Sequence, residues 1–314
     1  MTLQGRGGFV EGGQRRSRAE SVAGYLFIAV PMLLFLVLSI GSVAYSGWIS
    51  IWDWNLRSGP EGFLGLENYA RAFRDPVFIR SLTNVITYVV IWVPLTMAAG
   101  LFLALIVNQK LRGRTFFRAA FYFPAIASSA AITTLWILLA SPDGLFNQIR
   151  AAIPLDLLGF LGYAPNQNWL GDQSTALQSV ILLNVWTTSG TFMLFYLAAL
   201  QSIPNDVYEA AATDGAGWWQ TFRRITFPLL KPGHYFVATV AVIGGLQLFD
   251  QTFIVGGVGG DPNNALMTPV GYLYNAAFQQ FDFSYAAAVG VTLFVIVMGA
   301  TLVQRRLFGQ APEW

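Results

Sequence analysis

The sequence predicts an all-α membrane protein built as a bundle of six transmembrane helices. Three observations carry this. Of the 314 residues, 55% are hydrophobic and only 11% are charged, and the mean hydropathy is +0.53; soluble domains carry about 25% charged residues. Six apolar stretches reach the length of about 20 residues that a bilayer crossing needs. Lysine and arginine then gather in alternate inter-span loops, which is how orientation is encoded.

The elements follow in order. Residues 1–20 are rich in Gly and Arg (Arg6, Arg15, Arg16, Arg18) and read as a tail. No small-residue cleavage site follows, and the apolar run is too long for a signal peptide. Val22–Trp48 is the first span, with Pro31 inside it, which neighbouring helices tolerate. The others are Leu82–Val107, Ala119–Leu139, Leu177–Leu200, Gly233–Val255 and Tyr285–Val303. In the fifth, Gly244-Gly245 interrupts the run and Asp250 falls near its end. The small residues Ala125–Ala131 in the third suit close helix packing. Residues 309–314 form a C-terminal tail.

Six spans place both termini on one side. That side collects Arg6, Arg15, Arg16, Arg18, Lys110, Arg112, Arg114, Arg118, Arg223, Arg224, Lys231, Arg305 and Arg306. The other holds Arg57, Arg71, Arg74, Arg80 and Arg150. The first side is therefore expected in the cytoplasm. The outer loops Ser50–Ser81 and Ser141–Ala176 exceed tight turns, and the second is expected to include short interfacial helices. Asp143, Asp156 and Asp172 read as solvated acids.

Several chemistries are excluded or disfavoured. With no cysteine, disulfides, thiolate metal sites and cysteine nucleophiles are absent. The basic residues form no stripe for nucleic acid. Gly256–Asp261 reads GGVGGD with no GK[ST] after it, so it is a loop and not a phosphate cradle. An intramembrane serine protease would need Ser189 beside His234, the one histidine. Ser189 lies about 16 Å above the inner end of its span at 1.5 Å per residue, whereas His234 begins the next span, beside Lys231.

The most informative polar stretch is Gln201–Pro232, QSIPNDVYEAAATDGAGWWQTFRRITFPLLKP. Pro204 suits a first helical turn, and Asp206 and Glu209 suit the positive end of a helix dipole. Gly215 and Gly217 permit a turn. Trp218, Phe222 and Ile225 then share a helical face, and Pro228 should stop that helix at Phe227. The pattern Glu209-Ala210-Ala211, Gly215, Ile225, Pro228 resembles the EAA loop of the permease subunits of binding-protein-dependent ABC importers, with Phe227 where that family has Leu. The longer string is similar to the carbohydrate-uptake branch, which includes maltose and glycerol-phosphate permeases. GLENYARAF (Gly65–Phe73) and NWL (Asn168–Leu170) also resemble segments of that branch. The likeness covers about Tyr25 to Phe308.

The resemblance implies the type I importer permease fold, with residues 21–308 as the permease domain and 201–232 as its cytoplasmic coupling loop. It implies ATPase-coupling residues at Glu209, Ala210, Ala211, Asp214, Gly215, Ile225 and Pro228. It implies as partners a second permease, two ATP-binding cassette subunits that bring ATP and Mg, and an extracytoplasmic sugar-binding protein. The chain itself would bind no cofactor and catalyse nothing, and would sit in a bacterial or archaeal inner membrane.

Polar groups inside spans need partners or water. Asn184, Thr187, Thr188, Ser189 and Thr191 cluster in the fourth span, and Gln247 and Asp250 in the fifth, near Trp186, Tyr196 and Phe249. Amides and hydroxyls beside rings suit a sugar, so Asn184, Thr188, Thr191, Gln247 and Asp250 are the candidate substrate residues. In the resembling maltose-type permeases the same two spans line the site. An asparagine matches Asn184 there, while the Gly and Tyr that follow it differ here. The competing reading is interhelical hydrogen bonding. Glycerol phosphate or a polyol is the alternative cargo, although few basic residues face outward. A secondary transporter would show buried ionisable groups, which the spans largely lack.

Overall fold

The computed structural model describes residues 18–109, 112–153, 159 and 162–308. Contacts divide the chain into Met1–Trp48 and Ile49–Trp314. The tails up to residue 17 and from 309, together with Lys110 and Asp156, lie outside the described residues. In the first unit, α1 (Arg18–Phe35) passes through a π-helical stretch, Leu36–Gly41, into α2 (Ser42–Ile49). The whole forms the expected first span, and Pro31 does not break it.

The second unit begins with a feature the sequence reading did not foresee. β1 (Trp52–Asn55) and β2 (Gly59–Phe63) pair as an antiparallel hairpin. Gly59 supplies the left-handed backbone (φ +80°) that such a turn needs. A short amphipathic helix follows, α3 (Glu67–Arg74). Asp75 then caps α4 (Pro76–Asn108), accepting from the backbone N–H groups of Val77 and Phe78 at 2.7 and 3.3 Å. Pro94 lies inside α4 without interrupting it.

The third span is not the continuous helix expected. α5 (Arg114–Ile126) and α6 (Ser129–Leu139) meet at 93°. Pro124 removes one ladder donor, and Ala127 and Ser128 are extended (ψ 149° and 131°). The Ala125–Ala131 run is thus a corner, half-buried or exposed, with Ala127 packed against the larger core and Ser129 bonded to Gln251. After α7 (Leu145–Ala152), the short helix expected in that loop, α8 (Ala176–Gln201) forms the fourth span. Asp172 is engaged and not simply solvated. It accepts from the Ser174 N–H at 2.8 Å, from the Ser174 hydroxyl and from Gln167. The Ser174 backbone N–H, the largest influence, and these side-chain bonds hold its carboxyl below the usual range.

The coupling stretch opens with α9 (Asn205–Thr213). Pro204 stands just before that helix (ψ 140°) and not within its first turn. Gly215 (φ +75°) makes the turn, which L side chains resist. The second helix then runs past its predicted stop. α10 (Trp218–Thr221) widens into a π stretch, Phe222–Thr226, and continues as α11 (Phe227–Leu229). Because the π register ends at Thr226, Pro228 falls in the first turn of a new α segment, where a missing N–H costs little.

The fifth span is broken, but not at the glycine pair. α12 (Lys231–Leu246) runs through Gly244-Gly245, and the helix is lost at 247–249 before α13 (Asp250–Gly256). A compact loop leads to α14 (Pro269–Phe278) and the last span, α15 (Phe283–Phe308). In all, five helices among the described residues are long and apolar enough to cross a membrane, and six if the bent α5–α6 pair is one span.

Two apolar clusters hold this unit. The larger joins α4, α6, α8 and α12 around Tyr88, Trp92, Phe192, Met193 and Tyr196. The smaller joins α3, the start of α4, α14 and α15 around Phe78, Tyr272 and Tyr285. A polar chain ties the second cluster. The Tyr272 hydroxyl donates to Asp75 at 2.7 Å and lies 3.0 Å from that of Tyr285. Arg71 stands 4.0 Å from the Tyr285 ring centroid and pairs with Asp282 at 2.7 Å. The beginnings of α4 and α15 are thereby linked.

Candidate functional site

A cavity of about 390 Å³ opens between α4, α8 and the broken fifth span. All five candidate substrate residues line it: Asn184, Thr188 and Thr191 from α8, Gln247 from the break and Asp250 from the start of α13. On α8 the spacing 184, 188, 191, 195 is one helical face, and Phe195 completes it. Thr187 and Ser189 point elsewhere, and each donates to a carbonyl of its own helix. Of the nearby aromatics proposed from sequence, Phe249 lines the cavity. Trp186 instead stacks on Trp136 (6.2 Å), and Tyr196 is buried against His234.

The break explains why Gln247 and Asp250 reach the cavity. Gln247 (φ −102°, ψ 18°) and Phe249 (φ −145°, ψ −60°) leave the helical region. Such irregular backbone at membrane depth is tolerated where it lines a cavity. Gln251, one residue beyond Asp250, donates to Ser129 Oγ at 3.1 Å and so fastens α13 to the outgoing arm of the bent third span.

Among the lining groups missed from sequence are Tyr88 and Trp92 on α4, Phe192 and Phe195 on α8, and Gln251. Tyr88 and Trp92 stack at 5.3 Å, one turn apart. The Trp92 indole N–H is buried with no acceptor among the described residues, and the buried Asn184 amide faces the Tyr88 hydroxyl. Buried donors in native proteins are ordinarily paired, so this wall is short of an acceptor. No lysine or arginine lines the cavity; Asp250 is its one ionisable carboxylate. No group of three His, Asp or Glu able to hold a metal occurs among the described residues.

The protease arrangement is not formed. Ser189 bonds to its own helix, and His234 Nδ1 lies 3.0 Å from the Tyr196 hydroxyl. His234 also packs on Phe227 at 4.5 Å, so it bridges helices instead of sitting at a surface beside Lys231.

The coupling stretch presents a second surface. Glu209, Ala210, Asp214, Gly215 and Pro228 are exposed, Ile225 is half-buried and Ala211 is buried. Ala211 therefore anchors α9 from behind. Trp218 and Trp219 are 70% and 61% exposed, and Trp218 stacks on Phe222 with planes 8° apart.

Residues 72–308 match the model of the family described as binding-protein-dependent transport system inner membrane component. The chain belongs to this family. The inner membrane component is 34% identical to the probable ABC transporter permease protein YurN of Bacillus subtilis, over 92% of this chain and 97% of that one. It is 34% identical to the lactose transport system permease protein LacF of Rhizobium radiobacter, with 91% and 94% covered. It is 33% identical to the trehalose/maltose transport system permease protein MalF of Thermococcus litoralis, with 90% and 92% covered. Its fold matches a chain of a bacterial alginate ABC transporter in complex with an alginate pentasaccharide-bound periplasmic protein. There the TM-score is 0.77 at 22% identity, over 94% of this chain and 98% of that one. The family match spans both surfaces of this inner membrane component, the cavity and the coupling stretch. The type I permease fold read from the EAA-like pattern is the fold observed.

Proposed function

We propose that the chain is the permease subunit of an ATP-driven importer of neutral mono- or oligosaccharides. The observation that carries this is the cavity wall. It sets amides, hydroxyls and ring faces around a space where the buried Trp92 N–H lacks an acceptor. Sugar hydroxyls supply acceptors, and sugar C–H faces meet the rings. Relatives named for lactose, for trehalose and maltose, and for arabino-oligosaccharides support the same class. Asp250 without a lining cation disfavours a phosphorylated or acidic cargo, so glycerol phosphate is the weaker reading.

In this reading the chain is not an enzyme and binds no cofactor. Two ATP-binding cassette subunits hydrolyse Mg-bound ATP and grip the face of Glu209, Ala210, Asp214 and Gly215, with Pro228 and the indoles beside it. A second permease closes the path, and an extracytoplasmic binding protein delivers the sugar. Alternating access moves the cavity's opening from one side to the other. Residues 1–20 and 309–314 are cytoplasmic tails of a bacterial or archaeal inner membrane protein.

Asn184→Ala tests the cavity. Losing a buried hydrogen-bonding amide costs about 1–1.5 kcal/mol, so the apparent affinity for transported sugar falls roughly tenfold while assembly persists. Unchanged uptake kinetics would remove Asn184 from the site. Orientation has its own test: a reporter fused at Gly217 should read out cytoplasm, and an external signal would invert the topology.

A further inference from the structure

A run of aromatic rings leaves the cavity along α13 and α14. Phe249, a cavity residue, lies 5.0 Å from Phe253 and 5.6 Å from Tyr274. Phe253 and Tyr274 are 5.1 Å apart, and Tyr274 and Phe278 another 5.1 Å. Exposure rises along the run. Phe249, Phe253 and Tyr274 are half-buried, and Phe278 is 56% exposed. Three residues further, Phe281 is 68% exposed and stands at φ +57°. A bulky side chain held in the left-handed region and open to its surroundings is not placed there by packing.

Amides accompany the rings. Gln279 and Gln280 are exposed between Phe278 and Phe281. Gln280 donates to Asn275 at 3.0 Å, and Asn275 donates to the Val258 carbonyl at 3.2 Å, which fixes the turn. The open end thus repeats the chemistry of the cavity wall, flat rings beside amides.

We propose that Phe249, Phe253, Tyr274, Phe278 and Phe281 form a carbohydrate-guiding strip, along which a sugar passes from the protein's surface into the cavity. The inference rests on the sugar reading above and adds a route to it. The rings from Phe249 to Phe278 touch in turn at 5.0–5.6 Å, stacked, tilted or edge-on, so their outer faces and edges make one continuous apolar track for a pyranose, which Phe281 extends three residues further along the chain. Contacts to such faces need no fixed hydroxyl pattern, so a sugar can step between them without surrendering every bond at once. Continuity with the cavity through Phe249 is what selects sugar over lipid as the occupant.

The chain has no cysteine, so a single introduced thiol is the one labelling site on this subunit, read on its own electrophoretic band. In the complete transporter in proteoliposomes, Phe278→Cys should react with a membrane-impermeant maleimide. Whichever sugar the wild type carries, from lactose, trehalose, maltose and arabinotriose or from a wider screen of mono- and oligosaccharides, should slow that reaction. Separately, Phe278→Ala and Phe253→Leu should each slow uptake of that sugar about three- to tenfold, the scale of one lost ring contact, with ATPase subunits still bound. An unreactive thiol would overturn the strip, because lipid or another subunit would then cover it. Wild-type rates in both ring variants would overturn the strip while leaving the sugar reading intact. A wild type that carries no sugar in a screen of mono- and oligosaccharides would overturn both.

Discussion

Glu209→Lys is expected to cut ATP-driven uptake by roughly a hundredfold or more, in the range of a lost interfacial charge pair, while the protein still inserts. Glu209 is exposed on α9, whose buried Ala211 holds the helix from the opposite side, so the substitution leaves the fold alone. The Thr213 hydroxyl donates to the Glu209 carbonyl, a backbone bond that the lysine keeps. What changes is the sign of the charge on the face proposed above to meet the ATPase. Truncating one partner of a buried interfacial charge pair costs about 2–5 kcal/mol, and reversing it adds repulsion. A loss of two orders of magnitude or more in uptake is expected, with reduced co-purification of the ATPase subunits. Glu209→Gln should fall between. Normal uptake by the lysine variant would count against the docking role of this face.

The second large effect is structural. A Cβ at Gly190 would overlap the Phe121 carbonyl oxygen and stand 2.9 Å from the Tyr122 Cα. Both are backbone atoms of α5, so no side chain can swing away. Small residues at such crossings are what let membrane helices approach. Gly190→Val should therefore destabilise the bundle by about 3 kcal/mol or more, read as lower abundance in membranes and a lower unfolding temperature after purification. Gly217→Ala is the control. Nothing lies within 4 Å of its added methyl, and its φ of −71° suits any residue. If both variants were equally stable, the α5–α8 contact would not be as close as described.

Much of this was readable from residues alone, and the exceptions have physical causes. Hydropathy located the spans because bilayer thickness imposes one length on all of them. It could not locate the break at Ala127–Ser128. Pro124 looks like a signal, yet Pro31 and Pro94 lie inside helices that continue. Whether a proline breaks a span depends on what re-satisfies the freed carbonyl, and that is a tertiary fact. The hairpin at Trp52–Phe63 escaped because its strands are only 4 and 5 residues long and, though β1 alternates, β2 does not. In the cavity, Asn184, Thr188, Thr191, Gln247 and Asp250 stood out as polar groups in apolar runs. Tyr88 and Trp92 did not, since an aromatic facing a cavity reads the same as one facing lipid. Trp186 and Tyr196 erred the other way, being near in sequence but turned from the cavity.

The right-angled third span has a consequence for the bilayer itself. α5 has 13 residues and α6 has 11, about 20 and 17 Å at 1.5 Å per residue. Neither alone covers the hydrocarbon thickness of about 30 Å, and at 93° they cannot both stand along its normal. On that flank the greasy slab must pinch or be filled by a neighbour. The corner at Ala127–Ser128 thus leaves a gap in the apolar girdle that thinned lipid or a second apolar surface has to close.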